Sequence, residues 1–572
     1  MRRFASAGLG VLACAAALAG SVSACSAGKS DGGRLGGGDA GPGDDAGLVL
    51  GDDSGFNFDG NTPDTPGGGT SEPTTCPEAA AAKSYVGCDY WPTVTGNNVW
   101  SIFDYAVIVA NAGSNPAAIT VTGPNGVNQT GTVAPGTLEK FYLPWVASLK
   151  GPDTNECGVA APMPGSVFAA KGAYHLVSSA PVTVYQFNAL EYKPTGGPPG
   201  KDWSSCPGSA QSCASAGGPV GCFSYSNDAS LLLPSTAMTA NYRVAGQHGW
   251  SASDPLSGTT NVTAAYMVVT ATADGTQVTV KVSASGKVVA GAGITGTPGG
   301  GTLRLNMNAG DVAELVADPT TASDPSGSLV QSQDAAHPIQ VLTGVPCIQA
   351  PIGAQACDHT EESVFPFETL GKDYVVTVPT GPKGNKPGHI VRLYGNVDGT
   401  TLSYQGTRPS SAPATINAGQ VVDLGVVTQD FEVTGDHEFA VGSFMLSSSL
   451  LDPSGGGEGD PSQSLTVATE QYRLNYVFLA PSDYDISFAD IVSPKGNTLT
   501  LDGAPLNFTP QPIAANWVVY RVHLGPGNQG AHTLVAQQPV GMQVMGYGQY
   551  TSYQYPGGLD LKGITTPPPP PQ

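Results

Sequence analysis

The segment Tyr266-Met-Val-Val-Thr-Ala-Thr-Ala-Asp274-Gly-Thr-Gln-Val-Thr-Val280 decides the fold class of this 572-residue chain. Apolar and polar residues alternate on both sides of an Asp-Gly pair, which is the strongest short signal for two β-strands joined by a tight turn. Comparable segments begin at Tyr105, Ile390 and Phe488. Four copies of one strand-turn-strand pattern predict an all-β protein built from repeats.

Further strands follow each copy. In three copies an Ala-Gly or Pro-Gly pair, ending at Gly136, Gly310 and Gly419, precedes an apolar strand, and the fourth copy offers Trp517 to Leu524 instead. The units close on strands near positions 181, 338, 438 and 539, which are 157, 100 and 101 residues apart. We therefore predict about four tandem β-sandwich-like modules, with a propeller-like closed arrangement of four β units as the alternative.

The composition agrees with strands separated by turns. The chain has 77 Gly and 48 Pro, and only 12% of its residues are charged, against about 25% in typical globular proteins. Long surface helices need more charged residues than this. The net charge of −22 disfavours sustained binding to nucleic acid, since the phosphate backbone attracts basic surfaces.

The N-terminus predicts export. Residues 1–24 combine Arg2-Arg3 with an apolar stretch too short to span a membrane, as in a signal peptide. The following Val22-Ser23-Ala24-Cys25 resembles the lipobox of bacterial lipoproteins, which implies lipidation of Cys25. Because Ser26 rather than Asp follows the cysteine, this resemblance implies a lipid anchor in the cell outer membrane, with the surface-exposed and periplasmic faces both open.

The rest of the chain divides by composition. Up to residue 75 the sequence is rich in Gly and Asp and predicts a disordered acidic tether. The expected domains are a lipidated Cys and tether over 25–75, a first β module with a Cys-rich insertion over 76–222, a second module over 223–357, a third over 358–450, a fourth over 451–560, and a Pro-rich tail over 561–572.

Eight cysteines remain in the body, an even number that in an exported protein predicts up to four disulfides. They are Cys76, Cys88, Cys157, Cys206, Cys213, Cys222, Cys347 and Cys357. Proximity favours Cys347 with Cys357 and Cys76 with Cys88, and leaves the other four to pair among themselves. No CxxC occurs, so a zinc site is the weaker hypothesis.

The sequence contains few catalytic or ligand-binding motifs. It has no His-Glu-x-x-His and no phosphate-binding P-loop, so we expect neither an enzyme nor a cofactor. Asp483, Asp485 and Asp490 could offer oxygen ligands to calcium, although a surface turn is the default interpretation. His359, Glu361 and Glu362 form a candidate ligand contact beside Cys357, with a solvated turn as the structural alternative. Tyr547 and Tyr550 belong to an aromatic patch that either binds a ligand or packs inside the last module.

Three stretches carry a family resemblance. They are Asp358-His-Thr-Glu-Glu-Ser-Val-Phe-Pro-Phe, Gly546-Tyr-Gly-Gln-Tyr-Thr-Ser-Tyr-Gln-Tyr-Pro-Gly-Gly and Asn227-Asp-Ala-Ser-Leu-Leu-Leu-Pro. The region from about 220 to 560 resembles the N-terminal domain of the IgGFc-binding protein family. This resemblance implies non-catalytic adhesion or ligand binding at extracellular surfaces. The von Willebrand-type cysteine-rich modules that accompany the domain in mucosal proteins are absent, which favours a surface binder whose ligand is not specified by the family name.

Together these observations predict a lipid-anchored binding or adhesion protein, with a protein or glycan at the cell surface as its ligand. Two alternatives from other classes remain. One is an extracellular hydrolase or lyase that acts on polysaccharide through carboxylates on the module loops. The other is a structural envelope component that self-associates.

Overall fold

The chain is all-β, as the alternating segments predict. The computed structural model describes residues 72–111, 113–158, 160–207, 221–253, 260–319, 323–525 and 530–568. The predicted signal peptide, Cys25, nearly all of the predicted tether and Cys213 lie outside these ranges. No helix in the described ranges is long and apolar enough to cross a lipid bilayer.

Strands fall into four consecutive units. Unit 1 contains β1 (Gly87–Tyr90), β2 (Tyr105–Ala110), β3 (Ala117–Gly123), β4 (Val127–Val133), β5 (Leu138–Leu143), β6 (Val167–Ala169), β7 (His175–Phe187) and β8 (Ala229–Leu232). Unit 2 contains β9 (Asn241–Arg243), β10 (Trp250–Ser253), β11 (Thr260–Thr263), β12 (Tyr266–Ala271), β13 (Thr276–Lys281), β14 (Thr302–Met307), β15 (Val312–Val316), β16 (Leu329–Ser332), β17 (Ile339–Ile348) and β18 (Asp358–Ser363).

Units 3 and 4 follow the same plan. Unit 3 contains β19 (Asp373–Val376), β20 (His389–Gly395), β21 (Thr400–Gly406), β22 (Thr415–Ile416), β23 (Val421–Val427), β24 (Phe431–Gly435), β25 (Phe439–Met445) and β26 (Gln463–Leu465). Unit 4 contains β27 (Arg473–Ala480), β28 (Ile486–Pro494), β29 (Leu499–Leu501), β30 (Ala504–Pro505), β31 (Gln511–Pro512), β32 (Trp517–Gly525), β33 (Gly530–Gly548) and β34 (Thr551–Pro556). Short helices are α1 (Cys76–Ala82), α2 (Ala147–Lys150) and α3 (Ser448–Leu451), with single 3₁₀ turns at Pro124–Gly126, Phe367–Thr369 and Thr469–Gln471.

Each unit is a small sandwich of two antiparallel sheets. The four inner sheets share one order of four strands: β5-β2-β7-β8, β15-β12-β17-β18, β23-β20-β25-β26 and β32-β28-β33-β34. The β6 strand of unit 1 adds a fifth strand to the inner sheet of unit 2, beside β15. The four outer sheets have the orders β4-β3-β7-β1, β14-β13-β16-β9, β22-β21-β24-β19 and β30-β29-β33-β27. In units 1 and 4 a single long strand, β7 or β33, belongs to both sheets. The predicted sandwich-like repeats are therefore present.

The turn glycines lie where the sequence predicts them, but the predicted hairpins are wrong. Gly275 and Gly399 have φ near +71° and +72°, a backbone region that glycine enters without strain. The strands before and after Gly275, β12 and β13, do not pair with each other. They lie in opposite sheets of the sandwich, because the turn crosses the core instead of folding back within one sheet.

The four units are arranged as a four-blade, propeller-like ring. The last strand of each inner sheet lies at the centre, where β8 contacts β18, β18 contacts β26, β26 contacts β34 and β34 contacts β8. Of the two arrangements expected from the sequence, the closed one is therefore found, and each of its blades is sandwich-like.

In the described ranges, units 4 and 1 meet through non-covalent contacts. After β34 the chain runs beside the segment that precedes β1, where Tyr85 N–H donates to the Leu559 carbonyl at 3.2 Å and Leu561 N–H donates to the Lys83 carbonyl at 2.8 Å. Units 1 and 4 also share one apolar core, in which the Tyr185 and Tyr555 rings lie 4.7 Å apart. Burial of this shared core holds the ring shut.

Three disulfides occur in the described ranges. Cys347–Cys357 and Cys76–Cys88 confirm the pairs that proximity favours, and Cys206–Cys222 joins two of the four remaining cysteines. Cys157 is disulfide-bonded as well. The first two bonds close short loops, while Cys206–Cys222 holds the long insertion of unit 1.

Candidate functional site

Irregular connections gather at one end of the ring, and we call this end the connection face. In each unit a connection joins a central strand of the inner sheet to the innermost strand, over residues 188–228, 349–357, 446–462 and 549–550. Residues 208–220 of the first connection lie outside the described ranges. The connections touch one another: Ser449 N–H donates to the Gln355 carbonyl at 2.6 Å, and Tyr550 N–H donates to the Gly457 carbonyl at 2.6 Å. Loops collected on a rigid scaffold are a common place for binding residues.

Glu361 lies at the centre of the ring rather than on a loop. It belongs to β18 and is fully buried. Its carboxylate accepts hydrogen bonds from Asn188 Nδ2 at 2.7 Å, Thr95 Oγ1 at 2.9 Å and Ser230 Oγ at 3.1 Å. His359 Nε2 lies 3.7 Å from it. These partners come from units 1 and 2, so Glu361 joins two blades at the axis.

Asp228 makes the corresponding link to unit 3. Its carboxylate accepts hydrogen bonds from Glu361 N–H at 3.0 Å, Gln463 N–H at 2.9 Å and Ser462 Oγ at 2.7 Å. Burial raises the pKa of Asp228 well above its usual range, although these hydrogen bonds oppose the shift. The central acids therefore connect innermost strands to one another, which is a structural role.

The other two members of the predicted ligand cluster near Cys357 share this environment. His359 and Glu362 are both fully buried on β18. Glu362 Oε2 accepts a hydrogen bond from Ser464 Oγ of unit 3 at 3.2 Å, and burial raises its pKa well above the usual range. The structure thus places His359, Glu361 and Glu362 on a strand inside the ring, whereas the sequence suggested a loop beside a disulfide.

Tyr547 and Tyr550 lie at the β33–β34 turn. Tyr547 is 1% exposed and its hydroxyl donates to the Thr380 carbonyl at 2.7 Å. Tyr550 is half-buried in the connection face, and its ring lies 6.3 Å from that of Tyr225. The structure separates the pair: Tyr547 packs inside, and Tyr550 belongs to the connection face.

The three predicted aspartate ligands do not converge. Asp490 is buried on β28 and pairs with Arg521 Nη1 at 2.7 Å. Asp483 and Asp485 lie in the loop before β28, where each pairs with a lysine of unit 1. Among the residues that the structure describes, no three His, Cys, Asp or Glu side chains are placed to hold a metal ion.

Asp483 instead borders a cleft of about 370 Å³ between units 1 and 4, which we call the junction cleft. Its lining includes ionisable side chains from both units: Lys140, Tyr142, Glu191, Tyr192, Lys193 and Asp483. The first two lie on β5, the next three in the connection 188–228, and the last in unit 4. The volume lies within the range of about 300–1,000 Å³ that is typical of small-molecule sites.

Two ion pairs cross the junction cleft from unit 1 to unit 4. Lys140 Nζ lies 2.5 Å from Asp483 Oδ2, and Lys193 Nζ lies 2.8 Å from Asp485 Oδ1. Tyr192 donates its hydroxyl proton to Asp485 Oδ2 at 2.5 Å. Burial, followed by this hydrogen bond, raises the pKa of Tyr192 to about 12. The two units therefore present a fixed set of charged groups to the cleft.

Glu191 is the buried acid of the junction cleft. It is 1% exposed, and its Oε2 accepts a hydrogen bond from Asp104 N–H at 3.0 Å. Its Oε1 has no hydrogen-bond partner among the described residues. Burial, together with the charge of Asp104, raises the pKa of Glu191 to about 8. At neutral pH the carboxyl is mostly protonated and can both donate and accept.

Sequence reasoning finds one residue of the cleft, Asp483, but misses Lys140, Tyr142 and Glu191. The strand alternation of β5 places Lys140 and Tyr142 on one face. Nothing in the sequence shows that this face meets a loop more than 300 residues away, because the meeting depends on closure of the ring.

Two solved structures that are similar to this chain are weak likenesses. An anti-sigma factor domain-containing protein from Clostridium clariflavum is 10% identical over 56% of this chain and 90% of its own, with a TM-score of 0.11. A tetra-tandem repeat in the extending region of a large adhesion protein is 11% identical over 83% of this chain and 99% of its own, with a TM-score of 0.08. At such scores neither bears on fold or function.

No curated protein matches the chain. A protein family described as IgGFc binding protein does match, over residues 228–546. The matched region begins at Asp228, the central acid of unit 1, and ends near the turn between β33 and β34. It thus includes the three innermost strands β8, β18 and β26, and it covers more than half of the chain. This chain therefore belongs to the IgGFc-binding protein family.

Proposed function

We propose that the protein is a non-catalytic adhesion or ligand-binding protein, anchored in the outer membrane through lipid on Cys25. The family match over residues 228–546 carries this proposal, since the family is described by a binding activity. The ligand is a protein or glycan outside the cell. Immunoglobulin Fc is one candidate among these, because the family description names it.

The connection face is the surface that we assign to ligand binding. Connections from all four blades meet there, and disulfides hold those of units 1 and 2. Glu72, the first described residue, lies at the other end of the innermost strands, where Arg473 Nη2 contacts it at 2.6 Å. One six-residue strand, about 20 Å, separates the two ends. A tether that precedes Glu72 would therefore join the ring at the end opposite the connection face and leave that face free of the attachment point.

The hydrolase alternative would place catalysis in the junction cleft. Glycosidases use two carboxyl groups, one of which is protonated. Glu191, whose pKa burial raises to about 8, lines the cleft together with Asp483. Asp483, however, is held by Lys140 at 2.5 Å, and Asp485 is held by Lys193 and Tyr192. Because both carboxylates are engaged, we favour binding over turnover. Release of reducing sugar from any polysaccharide by the purified protein would reverse this preference.

Membrane fractionation of the Cys25→Ser variant tests the anchor. We expect the wild-type chain in the outer-membrane fraction and the variant in the soluble fraction. Ala24→Gly serves as a matched control, since it keeps both a small residue before the cysteine and the cysteine itself. Equal membrane association of wild type and Cys25→Ser would refute lipid anchoring.

The soluble full-length Cys25→Ser protein then tests binding. Immobilised, it is exposed to IgG Fc, to a panel of secreted proteins and to a glycan array, with heat-unfolded protein as the control. We expect saturable binding of at least one ligand that requires the folded ring. Saturable binding to none of these probes would overturn the proposed function.

A further inference from the structure

The junction cleft is charge-balanced. Lys140 and Lys193 face Asp483 and Asp485 in ion pairs of 2.5 and 2.8 Å, and burial raises the pKa of Glu191 to about 8, which favours its uncharged form at neutral pH. An anionic ligand would meet two aspartates, and a cationic ligand would meet two lysines. A neutral ligand with both donors and acceptors can bond to every one of these groups without breaking an ion pair.

The Glu191 carboxyl supplies a polar atom that needs a partner. Oε1 is buried and has no hydrogen bond within the described ranges. It lies beside Gly197, where the Cβ of any other residue would come within 3.2 Å of it. Gly197 has φ +87°, so glycine both permits this backbone and keeps a side chain from crowding the atom. A buried polar atom without a partner costs about 1–3 kcal/mol, which a ligand hydroxyl group would recover.

Aromatic surface completes the site. Tyr142 is half-buried on β5, and its hydroxyl has no hydrogen-bond partner among the described residues. The Tyr192 ring is fixed by its hydroxyl bond to Asp485 and by Lys193 Nζ, which lies 4.8 Å from the ring centre. Tyrosine offers an apolar face beside a polar edge. This combination suits a ring that carries C–H groups on its faces and hydroxyl groups at its rim.

From the balanced charges, the unpartnered Glu191 oxygen and the two tyrosines we infer that the junction cleft binds a neutral saccharide. This inference rests on the proposed binding function and deepens it by naming the ligand class. The saccharide would bridge units 1 and 4, accepting hydrogen bonds from the lysines and donating to the carboxyl oxygens, with Tyr142 packed against one sugar face.

The test uses the soluble full-length Cys25→Ser protein and an array of neutral, sialylated and sulfated oligosaccharides. The neutral oligosaccharide that gives the strongest signal is then titrated by calorimetry. We expect Tyr142→Ala and Glu191→Leu each to raise its Kd at least tenfold, because Leu removes both polar atoms of the Glu191 carboxyl. Tyr404→Ala and Glu314→Leu are matched controls: Tyr404 is also half-buried and Glu314 is also a buried acid of raised pKa, but both lie in other units. Their Kd should stay within twofold of the wild-type value.

Two results would overturn the inference. The first is an array that shows no neutral saccharide bound, or only acidic ones. The second is a bound neutral saccharide whose Kd is unchanged in both cleft variants, which places it elsewhere. If the same protein still binds a protein ligand saturably, only the saccharide inference fails. If it binds no probe at all, the proposed function fails with it.

Discussion

The Tyr85 hydroxyl donates to the Val477 carbonyl at 3.1 Å and accepts from the Val477 N–H at 2.8 Å, although 392 residues separate the two. Tyr85 precedes the first strand of unit 1, and Val477 lies in β27 of unit 4. One side chain therefore satisfies both backbone groups of a residue in the blade at the other end of the chain. The contact belongs to the only junction of the ring that the chain itself does not connect.

Tyr85→Phe is expected to lower the free energy of unfolding by about 1–3 kcal/mol, because it leaves the buried Val477 N–H without its side-chain acceptor. The Val477 carbonyl then keeps only the longer bond from the Tyr185 hydroxyl, at 3.5 Å. Chemical denaturation measures this change. Tyr520→Phe is the control, since Tyr520 is also buried but its hydroxyl has no hydrogen bond among the described residues. A loss no larger than that of the control would show that the contact does not stabilise the closed ring.

Arg521 forms ion pairs with two acids, one in unit 3 and one in unit 4. Its guanidinium lies 2.7 Å from Asp490 and 2.9 Å from Asp430, and all three side chains are nearly buried. Arg521→Gln leaves both acids with fewer partners, so we expect a loss of about 3–5 kcal/mol in the free energy of unfolding.

The matched control for Arg521→Gln is Arg408→Gln, because the Arg408 guanidinium lies over the Tyr404 ring and donates only to a carbonyl. Its loss should stay near 1 kcal/mol or less. Equal losses in the two variants, measured by urea titration, would contradict the role assigned to Arg521.

Stability should decrease as pH rises from about 4 to 8. Burial raises the pKa values of Glu314 and Asp460 to about 8, so the folded chain retains protons that the unfolded chain has lost. The stabilisation by these two groups is complete below their unfolded pKa values near 4 and is lost as the pH approaches 8. Each group lowers the free energy of unfolding by at most about 1.4 kcal/mol for each unit by which the pH rises.

Glu314→Gln tests the pH dependence. The variant keeps an oxygen to accept the Gly96 N–H bond, which is 2.7 Å long, but it has no proton to lose. We expect its unfolding free energy to vary less with pH between 5 and 8 than that of the wild type. A steeper or unchanged profile would show that Glu314 is not protonated in the folded chain.

Removal of the Cys347–Cys357 disulfide should destabilise the connection of unit 2. The bond spans ten positions of sequence, and a native disulfide contributes typically about 2–4 kcal/mol. We expect the Cys347→Ser, Cys357→Ser double variant to lose that much and to be cleaved by protease between 347 and 357. Resistance equal to that of the wild type would indicate that the loop is held by its contacts with α3 alone.

The sequence predicts much of the fold. Local signals, such as the alternation around Asp274-Gly275 and the glycines at 136, 310 and 419, locate the strands, and proximity identifies two disulfides. The hairpin prediction fails because an Asp-Gly turn has the same sequence whether it folds back in one sheet or crosses to the other. The choice between an open array and a ring depends on the shared core of units 1 and 4, which no local pattern encodes.

The candidate site is less predictable for the same reason. Charge near Cys357 suggests an exposed cluster, yet Glu361 is surrounded by Thr95, Asn188 and Ser230, partners that are distant in sequence. Burial of an acid can be foreseen only when its neighbours are known. The junction cleft combines β5 with the loop before β28, so it too exists only in the closed ring.

The non-covalent junction also determines how the ring carries mechanical load. Three junctions between blades are continuous in the chain, whereas the fourth is held by contacts alone. Among them are Tyr85 on Val477, the segments at 83–85 and 559–561, and Glu72 on Arg473. A pull applied through the residues before Glu72 acts first on this junction. Because the junction cleft lies between units 1 and 4, such a pull loads the cleft together with this junction.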